Sequence, residues 1–447
     1  MPKLLFGTDG VRGIPGEYPL DDPTLYWIGR SLGAYLRRRE PAPRVLIGMD
    51  TRESGPHIAA WIAAGLADEG AASSSAGLIS TPGVACLVRQ KAFSAGVVVS
   101  ASHNPYHDNG VKLFAGSGMK FPDEIEEQLE ADILLRRNGL PSITAREITA
   151  DRALDEEYLA FLRTGALPGA QLAGMRLVLD CANGAASSLG PELFRSLGAE
   201  VIAIHDRPDG RNINANCGSL HPEELQKKVA ETKAALGVAF DGDADRAILI
   251  GDHGRVIDGD GVLLAAARYL RSAGKLKGTR VIGTTMANMG LEKALVADGL
   301  SLVRMPVGDR YVLEEMLRSG SNLGGEQSGH IIFLDDATTG DGLLTALKMA
   351  CLVSLRGSLE SQIADLKVFP QRIVNIKVRE KPELESLPEV ASELQAATKA
   401  LRDSGRVVLR YSGTEPKARV MVEAEKAADV IYWSERLATA VRSAIGA

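Results

Sequence analysis

Short apolar, β-branched runs alternate along this chain with longer stretches in which apolar residues recur every three or four positions. The first block predicts a helix over 22–39, a strand over 44–48, a helix over 56–69, a short strand over 76–79 and a helix over 84–90. A fully apolar strand ending at Val97-Val-Val99 follows. The pattern then restarts, with strands at 175–180, 200–204 and 236–240 and helices at 187–197 and 222–232. It restarts once more from Gly259, with a helix to 271, strands at 279–283 and 300–304 and helices at 289–298 and 309–318. Alternation of this kind predicts mainly parallel sheets wrapped by helices, and three such blocks point to an internal repeat at domain scale. The last stretch differs: strands at 372–378, 406–411 and 419–423 and helices at 383–402 and 427–445 make a small α+β domain behind a proline-containing linker at 368–371. The expected fold class is therefore three similar mixed or mainly parallel α/β domains, 1–154, 155–255 and 256–367, plus a smaller C-terminal α+β domain, 368–447.

Composition narrows the function more than the fold. The length of 447 residues with 45% apolar content supports several cores, since domains run at roughly one per 150 residues. Lys plus Arg number 51 against 57 Asp plus Glu, a net charge of −6, so there is no basic footprint for nucleic acid. An anionic substrate would have to be drawn in by local cations. Cys86, Cys181, Cys217 and Cys351 lie far apart without Cys-x-x-Cys spacing, which predicts buried reduced thiols and no disulfide framework or zinc knuckle. The apolar start Leu4-Leu-Phe6 is short for a signal peptide, and no apolar run reaches the ~18 residues of a membrane span. A cytoplasmic chain without membrane contact is expected.

Chemistry concentrates where predicted strands end. Ser102, in Ser100-Ala-Ser-His-Asn-Pro105, follows the apolar strand at the carboxyl edge where open parallel sheets bind ligands. With His103 and Asn104 beside it, it is a candidate nucleophile or phosphate carrier. Asp241-Gly-Asp-Ala-Asp-Arg246 follows the strand over 236–240. Three alternate carboxylates, Asp241, Asp243 and Asp245, can converge on one hard cation, and oxygen-only ligation suits Mg²⁺. A calcium EF-hand loop fails, because Arg246 stands where a glycine is required and Asp252 where a glutamate belongs. Gly324-Gly-Glu-Gln-Ser-Gly-His330 links two predicted strand segments; Glu326 and Ser328 suit sugar hydroxyls and His330 suits proton transfer or positioning, though a glycine-rich turn with incidental polar residues has the same sequence. In Arg410-Tyr-Ser-Gly-Thr-Glu-Pro416, Arg410 offers a planar fork to a phosphate, Ser412 and Thr414 offer hydroxyls, and Gly413 permits an anion nest; a salt bridge from Arg410 to Glu415 is the alternative. The glycine-rich Gly7-Thr-Asp-Gly-Val-Arg-Gly13 carries Thr8 and Arg12, and Lys112 adds an ammonium just after the serine loop.

Together these five loops closely resemble the α-D-phosphohexomutase superfamily, in order and spacing over nearly the whole chain. The Glu326-Gln327-Ser328 sugar loop is most similar to the bacterial branch that acts on glucosamine phosphate, whereas the phosphomannomutase and phosphoglucomutase branch usually has methionine at the position of Gln327. The resemblance implies four domains around a central cleft, a phosphoserine at Ser102, and one Mg²⁺ held by Asp241, Asp243, Asp245 and the seryl phosphate. It implies conversion of glucosamine 6-phosphate to glucosamine 1-phosphate on the route to UDP-N-acetylglucosamine and cell wall, through glucosamine 1,6-bisphosphate as intermediate and activator. It assigns substrate contacts to Gly325, Glu326, Gln327, Ser328, Arg410, Ser412, Gly413 and Thr414. Arg12 and Lys112 are the candidates for proton transfer, with His103, His330 and Arg246 as further catalytic or orienting groups. A homodimer and a serine kinase that activates Ser102 are the expected macromolecular partners. Competing expectations are phosphomannomutase or phosphoglucomutase activity on the same fold, and a phosphosugar-binding sensor without turnover.

Overall fold

A computed structural model describes residues 4–7, 9–136, 143–412 and 416–447. The chain divides into two compact units, one of Met1–Thr284 with Met305–Ala364 and one of Thr285–Arg304 with Asp365–Ala447.

In the first unit the strand Ala95–Val99 is buried throughout, as a β-branched run with no polar face requires. It pairs in parallel with Arg44–Met49, which pairs in parallel with Ala72–Leu78. Helices Asp22–Arg37 and Gly55–Asp68 cover one face through Ile28, Leu32, Ile58 and Ile62. Helix Thr81–Gln90 covers the other: Cβ atoms at Gly48 and Gly96 would lie 2.5 and 2.7 Å from Val84 and Val88. Ser80 caps that helix by accepting the Gly83 N–H at 3.1 Å, as N-cap serines do.

The mainly parallel expectation holds for strand pairs inside each block, but each site loop turns back into an antiparallel strand. Ala95–Val99 returns as Asn109–Ala115, Leu236–Phe240 as Ala247–Ile250, and Leu323–Gly325 as Ile331–Phe333. Each parent strand also has a parallel neighbour, Arg44–Met49, Arg176–Asp180 and Arg280–Thr284 respectively. The repeat anticipated from periodicity is thus a repeat of topology, and it places the serine, aspartate and sugar loops at equivalent positions. Helices Asp123–Arg136, Ala153–Thr164, Ala186–Ser196, Glu223–Thr232, Gly259–Ser272, Asp309–Ser319 and Gly342–Arg356 also belong to the unit.

The second unit contains an antiparallel sheet, Gln371–Lys377, Lys417–Ala424 and Gly405–Tyr411, with Lys417–Ala424 central. Helices Pro388–Leu401 and Ala427–Ile445 pack on it through Val390, Leu401, Trp433 and Leu437. The first of these starts later than its periodicity predicts: Leu384–Ser386 is a 3₁₀ turn and Pro388 opens the helix, where its missing N–H costs nothing. All four cysteines are free and buried. Among the described residues no helix is long and apolar enough to cross a membrane.

Candidate active site

Ser102 sits at the end of its strand with φ 51°, in the left-handed region, and is 1% exposed. Its backbone is held from several sides. Its N–H donates to Ser100 Oγ at 2.9 Å, and the Ser100 hydroxyl donates to Asp50 at 2.5 Å. Arg52 pairs with Asp50 and donates to the carbonyls of Ser102 at 3.2 Å and Asn104 at 2.6 Å. Asn214 Nδ2 donates to the same two carbonyls at 2.9 and 3.0 Å. The Ser102 hydroxyl is left pointing at the aspartate loop: it donates to Asp241 Oδ2 at 2.7 Å.

Asp241, Asp243 and Asp245 are buried, with ligand atoms within 4.8 Å of one another; Ala244 between them takes φ 54°. Asp243 Oδ2 accepts from Thr81 at 2.5 Å and from Lys112 at 2.9 Å. Asp245 lies 3.5 Å from His330 Nδ1, 3.8 Å from Lys112 and 3.7 Å from Arg246. Asp243 Oδ1 and Asp245 Oδ1 are buried with no hydrogen-bond partner, and burial, reinforced by the Asp245 and Asp243 charges, pushes Asp241 well above the usual carboxylate range. Orphaned oxygens and crowded like charges are what a hard, oxygen-seeking cation would satisfy. The donor set therefore fits a divalent ion of the Mg²⁺ class.

The remaining predicted catalytic groups converge here. Although burial opposes it, the carboxylates of Asp243, Asp9 and Asp245 hold the Lys112 ammonium above its ordinary range, so Lys112 is a fixed cation in this arrangement. Burial and the guanidiniums of Arg246 and Arg12 push His103 down to about 4. It is neutral, accepts from Arg246 at 3.2 Å and lies 3.3 Å from Ser102 Oγ. His330 goes the other way: burial disfavours its charge, but Asp245 and Asp309 carry it up to about 9. Arg12 pairs with Asp9 at 2.6 Å and reaches Asn104 at 3.4 Å.

The sugar loop is anchored by its own polar groups. Glu326 accepts the Gly308 N–H at 3.1 Å; the side chain of Gln327 hydrogen-bonds Asp258, the cap of helix Gly259–Ser272. Ser328 is exposed, and Gly325 ends the strand leading into the loop. In the second unit Arg410 lies directly opposite Arg419 in the antiparallel register, two like charges that burial and mutual repulsion combine to lower at Arg410. Ser412 is buried beside it; Gly413, Thr414 and Thr8 lie outside the described residues.

The sequence matches four domain families described as phosphoglucomutase/phosphomannomutase: α/β/α domain I over residues 3–138, domain II over 156–254, domain III over 258–369 and the C-terminal domain over 373–440. A phosphoglucosamine mutase of Solibacter usitatus is 50% identical over 447 residues, covering 100% of both chains, and that of Koribacter versatilis is 50% identical over 99% of this chain and 98% of its own. The chain belongs to the phosphoglucosamine mutase family. As a member it is an isomerase of the phosphohexomutase type. Solved structures agree on the fold. A phosphoglucomutase/phosphomannomutase family protein of Burkholderia thailandensis superposes with TM-score 0.79 at 23% identity, over 98% of this chain and 97% of that one. Aspergillus fumigatus N-acetylphosphoglucosamine mutase, in complex with GlcNAc-6P and magnesium, gives 0.64 at 19% identity over 99% and 96%.

Several groups around this phosphoglucosamine mutase site lie outside the five motifs. Asp50, Arg52, Thr81 and Asn214 come from other loops, and Lys120 bridges Asp9 at 2.6 Å and Asp309 at 2.7 Å. Asp50-Thr-Arg52 had one visible signal, a polar triplet at the end of a predicted strand. Within the second unit, Arg419 had no such signal, since only strand register brings it against Arg410.

Proposed function

We propose that this chain interconverts glucosamine 6-phosphate and glucosamine 1-phosphate through a phosphoseryl Ser102 and glucosamine 1,6-bisphosphate. The observation that carries the reading is the Ser102 hydroxyl bonded to Asp241 within a buried cluster of three carboxylates, faced by Lys112. A free hydroxyl cannot carry a phosphoryl group between two sugar oxygens unless it is already phosphorylated, so the resting enzyme is the phosphoenzyme. The seryl phosphate passes to O1 of the 6-phosphosugar as the O1 proton leaves, and the bisphosphate turns over to return its other phosphate to Ser102. Asp241, Asp243, Asp245 and a seryl-phosphate oxygen would hold one Mg²⁺, which when bound neutralises charge on the transferring group.

The chain's own residues do the rest. Arg246 supplies fixed positive charge, and Lys112 does so while its carboxylate contacts hold, for a loose phosphoryl-transfer transition state, where positioning and electrostatics dominate. Arg12 and Lys112 are the proposed partners of the sugar-hydroxyl proton, Lys112 once its carboxylate contacts are relieved, while neutral His103 and charged His330 orient the groups around it. Gly325, Glu326, Gln327 and Ser328 take the sugar; Arg410, Ser412, Gly413 and Thr414 take the phosphate not being transferred. The Asp258 anchor on Gln327 supports a loop-shaping role for that side chain. The first phosphate comes from the bisphosphate or from a serine kinase.

Intact mass before and after phosphatase treatment, followed by turnover with Mg²⁺ and a trace of the bisphosphate, tests this. One added phosphate at Ser102, activity lost on its removal and restored by bisphosphate, is expected. Full activity with Ser102 never phosphorylated would overturn it, and a wide preference for glucose or mannose phosphate in parallel assays would overturn the sugar assignment.

A further inference from the structure

Away from the catalytic triad, Asp180, His205 and Cys217 bring one oxygen, one nitrogen and one sulfur within 4.8 Å of one another. The geometry points to a second metal site here, one for a borderline-soft transition ion such as Zn²⁺, ligated by Asp180 Oδ1, His205 Nδ1 and Cys217 Sγ. Mixed S, N and O donors select such ions over Mg²⁺, so this site and the oxygen-only triad do not compete for the same metal.

The alternative is a plain ion pair between His205 and Asp180, 3.1 Å apart. The details favour a ligand set. His205 Nδ1 is buried without a hydrogen bond of good geometry. With no ion bound the Asp180 contact raises His205, and an incoming metal displaces that proton. The Asp180 oxygens that His205 faces accept the N–H groups of Ala182 at 3.0 Å and Gly218 at 2.9 Å. Those two bonds fix the carboxylate while leaving lone pairs free. The other ring nitrogen, Nε2, lies 3.3 Å from Glu224. A carboxylate on the far nitrogen of a histidine holds the proton there and aims the near lone pair at a metal. The Gly218 N–H bonded to Asp180 belongs to the residue after Cys217, so the sulfur is tied to the same frame. The His205 side chain is 22% exposed, which leaves an entry path and room for a water as fourth ligand. On binding, a metal–sulfur bond replaces the Cys217 S–H bond and its proton goes to solvent.

The site would brace the segment that grips the serine loop. Asn214 N–H donates to the Ala182 carbonyl at 2.9 Å, and the Asn183 carbonyl accepts from Thr51 at 2.6 Å. A structural ion here raises thermal stability without taking part in turnover.

Cobalt(II) titrated into metal-stripped full-length protein in excess Mg²⁺ tests the site. A near-ultraviolet thiolate-to-cobalt charge-transfer band saturating at one ion per chain is expected, which the oxygen-only triad cannot produce. The band should vanish in Cys217→Ser. In His205→Gln, a milder change at a half-buried position, cobalt affinity should fall by about tenfold or more, and the rise in Tm that Zn²⁺ gives the parent should shrink with it. Absence of the band in the parent protein, or a band and affinity unchanged in His205→Gln, would overturn the proposal.

Discussion

Asn214 grips the serine loop with the one kind of group suited to two neighbouring carbonyls: its amide nitrogen carries two protons, one for Ser102 and one for Asn104. Asn214→Asp keeps the shape and tolerates the left-handed φ of 57°, but turns a double donor into an acceptor facing two acceptors. The loop carrying Ser102 should shift by a fraction of its width, and since misplacement of about 1 Å costs about 10²-fold in rate, kcat should fall by that order while KM changes little. Steady-state kinetics checks this; unchanged kcat would mean that Arg52 and Ser100 fix the loop without Asn214. Lys120 is a second such case. It is the shared counter-charge of Asp9 and Asp309, and burial opposes its ammonium less than those two carboxylates support it. Lys120→Met removes one counter-charge from each acid, but Asp9 keeps Arg12 at 2.6 Å and Lys112 at 3.0 Å and Asp309 keeps charged His330 at 3.8 Å. The cost should therefore stay at about 1 to 2 kcal/mol, that of lost hydrogen bonds to charged groups. Urea denaturation measures it.

At the scale of elements, the active site depends on how closely one helix lies on one sheet. Thr81, at the start of helix Thr81–Gln90, reaches Asp243 only because Gly48 and Gly96 offer no Cβ to Val84 and Val88. Gly48→Ala should press on Val84 and Ile79 alike, each 2.5 Å from the added Cβ, lower Tm and weaken the Thr81 contact. Val84→Ala should recover part of that loss, and a coupling energy of about 1 kcal/mol or more in the double-mutant cycle is expected for residues in direct contact; strictly additive effects would place the strain elsewhere. This dependence was not legible in the sequence, although the helix and strand were. Periodicity reports which way a side chain faces within one element, so the buried run Val97–Val99 and the aspartate loop after Phe240 could be read directly. Two of the three return strands could not. In Asn109–Ala115, Lys112 and a leading Asn-Gly break the apolar signal, and Ala247–Ile250 spans only four residues. The same limit explains the site: Ser102 and the three aspartates are local motifs, whereas Asp50, Asn214 and Thr81 become neighbours only when separate loops meet.

At the scale of the first unit, three segments distant in sequence are pinned by one buried hydroxyl. Tyr158 donates to Asp341 Oδ2 at 2.8 Å and accepts from Ser80 at 3.2 Å. Ser80 caps the helix carrying Thr81, and Asp341 caps Gly342–Arg356 by accepting the Leu344 N–H at 2.9 Å. Burial raises Asp341 from 3.8 to about 6, against the lowering effect of the Leu344 N–H and Tyr158 hydroxyl bonds. A carboxyl raised on folding contributes most below its unfolded value, and that contribution is lost as pH climbs through its folded value. The penalty grows between about pH 4 and 6 and reaches about 3 kcal/mol at neutrality, at 1.36 kcal/mol per unit. Asp341→Asn avoids it. The amide oxygen can still take the Leu344 N–H, its NH₂ can donate to Tyr158, and the tyrosine hydroxyl can reverse to donate to Ser80. Asp341→Asn should therefore match the parent below pH 4 and exceed its stability by up to about 3 kcal/mol at pH 7, read as the difference between paired urea titrations across that range. Tyr158→Phe is the converse. It leaves an Asp341 oxygen buried without its donor, so it should cost about 1 to 3 kcal/mol at neutral pH and less at pH 4, where the carboxyl is protonated and no buried charge loses its donor. A constant Asp341→Asn difference at all pH values would show that Asp341 stays ionised and that the pin holds by charge.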